Sequence, residues 1–156
     1  MKMYVAEKWM EKSEKIEVKN PFDETVVDTV PSASLEDVDC ALKTAQKGAE
    51  IMEKIEAYER SELLKKAADL VEVNLEELAK TITLEEGKII SEARVEVSRA
   101  VQTLLVSAEE AKRLSGDMIP LGGAPGSGNR LGFTLRVPCG VAVSYTHLTL
   151  PTTPYV

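Results

Sequence analysis

ERSELLKKAADLVEVNLEELAKTITLEEGK, residues 59–88, decides the fold. Leu63, Ala67, Leu70 and Val71 recur at helical spacing and predict a helix from near Tyr58 with those residues inward. Asn74 followed by Glu77 reads as a fresh cap, and Leu75, Leu78, Ala79 and Ile82 continue the apolar face. Gly87 is placed to end the helix in a left-handed conformation, with Lys88 favourable to the helix dipole. Upstream, Ser34 with Asp37 forms a capping-box start. Val38, Ala41, Leu42, Ala45, Ala49 and Met52 then share one face, and Cys40 falls opposite it, beside Thr44 and Lys47. Downstream, a helix from about Ser91 to Leu114 carries the stripe Val97, Val101, Leu104, Leu105 and Ala108. Arg99, Glu109 and Arg113 lie on its outer face, the last two as an i,i+4 pair. Residues 34–115 are therefore expected to form three main helices packed together.

The flanks read as strand. Ile16 and Val18 alternate with Glu17 and Lys19, Asn20-Pro21-Phe22-Asp23 signals a turn, and Val26-Val27 resumes the pattern, which predicts a hairpin from about Ile16 to Val30. After Gly116 the texture changes. Met118-Ile119-Pro120 is a short strand candidate, GGAPGSGN (residues 122–129) a flexible loop, and Leu131, Phe133 and Leu135 alternate as an extended arm that Pro138 breaks. A more buried strand is expected from Gly140. No internal repeat is present.

With 156 residues the chain fits one domain, or a large piece of a bigger one. Hydrophobic residues at 44% and charged residues at 29% are ordinary for a soluble globular protein, whereas 4% aromatics is thin for a core built on large rings. A net charge of −7 and the absence of a basic stripe argue against nucleic acid as a partner. Glu7, Lys8 and Glu11 stand where a signal peptide needs an apolar run. The uncharged stretch after Arg136 is broken by Pro138, Pro151 and Pro154, so no membrane span is expected. Cys40 and Cys139 have no CxxC spacing, and a reducing cytoplasm is the simplest compartment.

Several features tempt a chemical reading. The glycine loop Gly122–Gly128 lies between strand-like segments, no GK[ST] follows and G-x-G-x-x-G is absent, so a hairpin tip is favoured over a phosphate cradle. Glu85-Glu86-Gly87-Lys88 is better read as a helix C-terminus than as an acid–base cluster. Cys139 is flanked by Pro138 and Gly140, with His147 the nearest base in sequence, and is read as a buried, inert thiol. Cys40 is read as an incidental exposed thiol. His147 is the only histidine and makes neither a metal site nor a triad. No catalytic, cofactor-binding or metal-ligating residue is therefore assigned in this chain.

Taken in order, the segments resemble the aldehyde dehydrogenase superfamily over residues 4–143. NPFDETVVDTVPSASLEDVDCALKTAQKGAE is similar to the family's opening hairpin and first helix. ERSELLKKAADLVEVNLEELAKTITLEEGK resembles the next helix pair with its E-x-G-K turn, and EARVEVSRAVQTLLVSAEEAKRLSGDMIP the third long helix and its exit. RLGFTLRVPCGV resembles the strand that leads through R-x-P-x-G-V into the cofactor-binding fold. Within the family the chain looks most similar to lactaldehyde dehydrogenases and NADP-linked non-phosphorylating glyceraldehyde-3-phosphate dehydrogenases.

The resemblance implies an α/β family fold, here truncated to three helices, an N-terminal β-hairpin and a C-terminal strand arm. It implies oxidation of an aldehyde to an acid by a cysteine thiolate, with hydride passing to NAD or NADP and a glutamate activating water. That cysteine and glutamate lie beyond the length of this chain, so Cys139 is not the nucleophile, and no cofactor is expected bound to this chain alone. The implied organisation is residues 1–117 as the helical part of the cofactor domain, 118–138 as an oligomerisation-type hairpin arm, and 139–143 as the first cofactor-domain strand. A small aldehyde and a homo-oligomeric partner follow from the same resemblance. Where the family reads T-P-F-N-F-P, this chain keeps Thr146 and Pro151 but has His147 for the proline and Thr149 for the oxyanion-donating asparagine. Residues 144–156 are accordingly expected to be a non-family, artefactual tail on an N-terminal fragment. The rival readings are a stand-alone helical interaction module with a β arm, and a nucleotide-binding module using GGAPGSG.

Overall fold

The computed structural model describes residues 1–144. It opens with two antiparallel hairpins. In the first, β1 (Met3–Val5) pairs with β2 (Lys8–Met10), with Tyr4 opposite Trp9 and their rings 5.1 Å apart. Its turn puts Ala6 and Glu7 at φ of 50° and 66°. Positive φ at both central residues is the geometry that a two-residue hairpin loop demands. In the second, β3 (Lys15–Lys19) pairs with β4 (Val26–Pro31), with Ile16 opposite Val30. The expected turn is built by local side chains: the Phe22 N–H donates to Asn20 Oδ1 at 3.0 Å and the Thr25 N–H to Asp23 Oδ1 at 3.1 Å.

Four helices follow among the described residues, where three were expected: α1 (Leu35–Lys54), α2 (Ala57–Val73), α3 (Leu75–Glu86) and α4 (Ile90–Glu110). The extra break falls at Asn74, whose φ of −99° and ψ of 17° leave the helical region. Its amide donates to the Leu70 carbonyl at 2.8 Å. The Leu70 carbonyl accepts from the Asn74 backbone N–H as well, at 3.2 Å, so side chain and backbone together hold the end of α2 while the chain turns into α3. Gly87 ends α3 at φ 71°, its N–H donating to the Thr83 carbonyl at 3.0 Å. This is the left-handed cap that the sequence predicts.

The core lies where α4 crosses α2 and α3, and it is built of small residues. Ala79, Ala93 and Val97 form its centre, with Val71, Leu75, Ile82 and Ile90 packed around them. Ala68, Val101 and Ala108 extend the buried set along α2 and α4. The expected α4 stripe is largely the observed one. On α2 the expected face is met in part: Val71 packs against the core and Ala67 is half-buried, but Ser61 and Ala68 are the buried residues while Leu63 and Leu70 are exposed. The cause is packing distance. Ser61 and Ala68 let α2 approach α4 closely, and a face carrying Leu63 and Leu70 would hold the helices apart.

The second correction concerns α1. It touches β1 but does not join the other three helices, so the expected three-helix packing is instead α2, α3 and α4. Its apolar face stays in solvent, and its one buried residue is Asp37. Asp37 accepts from the Ser34 N–H at 2.9 Å and from Lys12 at 2.8 Å, tying the segment after β2 to the start of α1. The Lys12 ammonium, followed by the Ser34 N–H, lowers its carboxyl from 3.8 to about 2. A carboxyl whose pKa is lower in the folded chain stabilises fully above the unfolded value and loses that contribution as pH falls through the folded one. Asp37→Asn is therefore expected to lower the melting temperature at pH 7. The gap to the parent is expected to close between about pH 4 and pH 2. Circular dichroism melts at stepped pH check this, and a gap that persists at pH 2 contradicts it.

After α4 the chain forms a small third hairpin, β5 (Met118–Ile119) with β6 (Gly132–Phe133). The expected extended arm is thus paired over two residues only. Residues 139–143, expected as a buried strand, form none among the described residues. A strand needs a ladder partner, and none of the described residues supplies one.

Candidate functional site

The singled-out features are scattered rather than convergent. Cys40 is exposed on α1. Cys139 is also exposed, which corrects the expectation of a buried thiol: among the described residues no strand pairs with the backbone around Pro138 and Gly140 to cover it. His147, Thr146, Thr149 and Pro151 lie outside the described residues.

The glycine loop has the structure of a hairpin tip. It joins β5 to β6, no helix follows it among the described residues, and a Cβ added at Gly122, Gly123 or Gly128 would meet nothing within 4 Å. A phosphate cradle needs converging N–H groups at a helix N-terminus. Here the Ser127 hydroxyl instead lies against the Leu121 and Ala124 carbonyls as their donor, closing the loop on itself. The Glu85–Lys88 cluster is structural as well. Lys88 pairs with Glu86 at 3.4 Å and more closely with Glu96 on α4, and the Glu96 contact raises the Lys88 pKa. Glu96 is a partner that local sequence could not supply, because it sits on the next helix. The Arg94 guanidinium likewise grips Glu76 across α3 and α4, with Nε–Oε1 at 2.8 Å and Nη2–Oε2 at 2.9 Å. Such two-pronged pairs fix geometry as well as charge. Among the described residues no three His, Cys, Asp or Glu side chains gather to hold a metal.

Two clefts adjoin the C-terminal arm. One, of about 530 Å³, runs between α1 and residues 138–141 and is lined by Leu42, Gln46, Ala49, Glu50, Pro138 and Val141. The other, of about 460 Å³, places Met52, Arg60, Leu114, Arg136, Val137 and Cys139 around one space. Arg60 is held there by donating to the Ile55 carbonyl at 2.7 Å. The Glu53 carboxylate and the Cys139 thiol both line the second cleft, beside the Arg60 and Arg136 guanidinium groups, and among the described residues no histidine lines either cleft. The arrangement is a scaffold with open apolar faces.

The sequence pattern of the aldehyde dehydrogenase family matches residues 9–147, and the chain belongs to that family. The match reaches into the stretch expected to lie outside the family. The chain is 41% identical over 149 residues to 3-sulfolactaldehyde dehydrogenase of Priestia aryabhattai, covering 96% of this chain and 31% of the relative. It is 33% identical over 149 residues to lactaldehyde dehydrogenase of Methanocaldococcus jannaschii, with 96% and 31% covered. Its fold matches aldehyde dehydrogenase 21 of Physcomitrella patens, solved in complex with the reaction product succinate, at a TM-score of 0.76 and 34% identity over 85% of this chain and 28% of that one. The chain thus spans about a third of the length of the curated relatives it matches. The expected family and its lactaldehyde-type neighbourhood are both met by these comparisons. Among the described residues no helix is long and apolar enough to cross a membrane.

Proposed function

We propose that this chain is the N-terminal scaffold of an NAD(P)-dependent aldehyde dehydrogenase and that it carries none of the reacting groups. The observation behind this reading is a match along nearly the whole chain to relatives about three times its length. In this reading residues 1–117 are the helical part of the cofactor domain and 118–138 are an arm that reaches a second subunit. Residues 139–143 are the first strand of the cofactor sheet, unformed until its neighbours are present. The substrate is a small aldehyde of the lactaldehyde type, the acceptor is NAD or NADP, and the compartment is the cytoplasm.

Hydride transfer needs the aldehyde carbon held by its nucleophile and beside a nicotinamide, and that proximity supplies much of such a rate. A dinucleotide crevice forms at a switch in strand order of a parallel sheet. The sheets among the described residues are two-stranded and antiparallel. The purified 156-residue chain is therefore expected to give no NAD(P)H absorbance at 340 nm with lactaldehyde or glyceraldehyde-3-phosphate. Turnover above background that disappears in Cys139→Ala would overturn the assignment of the chain as scaffold.

A further inference from the structure

We draw no further inference here: the strongest candidate, the cleft between α1 and the C-terminal arm that gathers Glu53, Arg60, Arg136 and Cys139, belongs to the site already described, on faces that the proposed function packs against the rest of the family polypeptide.

Discussion

Val97→Asp is expected to abolish the cooperative fold of this chain. Val97 is 3% exposed at the centre of the helical core, in contact with Ala79 and Ala93. An unpaired carboxylate there costs several kcal/mol even after relaxation. The total stability of an ordinary domain is only about 5–15 kcal/mol, and a core of alanines and valines places this one low in that range. The far-UV helical signal is expected to fall to that of an unfolded chain at 25 °C, whereas Val95→Asp, on the same helix at 50% exposure, keeps it. A Val97→Asp protein with the parent's melt would show that the α4 crossing is not what holds the helices.

Gly116→Ala is expected to release the C-terminal arm. A methyl at residue 116 would overlap the carbonyl group of Thr134, and backbone cannot step aside as a side chain tip can. That contact also carries two hydrogen bonds: the Thr134 N–H donates to the Asp117 carbonyl at 2.9 Å, and the Asp117 N–H to Thr134 Oγ1 at 2.8 Å. Losing two such bonds removes about 1–3 kcal/mol of local protection. Amide exchange at Thr134 and Phe133 is therefore expected to quicken by about 10- to 100-fold, with the α2–α4 amides unchanged. Gly122→Ala, where an added methyl meets nothing, serves as the control and is expected to leave exchange at Thr134 as it was.

Local signals were well read from sequence where the structure is local. The Ser34–Asp37 capping box, the left-handed Gly87 and the Asn20–Asp23 turn all depend on residues within a few positions of each other. What sequence missed depends on partners far along the chain. Leu63 and Leu70 have the right spacing to be core, but the tight approach of α4 selects Ser61 and Ala68 instead, and nothing near residue 61 reports that approach. The α1 face has the same periodic signature as the α4 stripe, yet one is buried and the other is in water. Periodicity marks a face fit for burial and does not say what covers it. Residues 139–143 show the same limit for strands, since an apolar run becomes a strand only beside a neighbour. The candidate site divides along the same line. The glycine loop was read as a hairpin tip and Glu85–Lys88 as a helix end, and both take those forms, whereas the placing of Glu53 beside Cys139 in one cleft depends on α1 meeting the arm and could not be read from residues 138–140 alone.

The proposed function puts Cys139 in the scaffold and the nucleophile elsewhere. The decisive measurement is NAD(P)H formation at 340 nm by a joined protein, with 3-sulfolactaldehyde as substrate, compared with the same protein bearing Cys139→Ala. The joined protein is residues 1–144 followed by the part of the Priestia aryabhattai 3-sulfolactaldehyde dehydrogenase that follows the matched stretch. Turnover that is present in both is the predicted result: this chain builds the scaffold and the nucleophile lies elsewhere. Turnover that is present in the first and lost in the second, with both proteins melting alike, would place the reacting thiol in this chain and contradict the scaffold role.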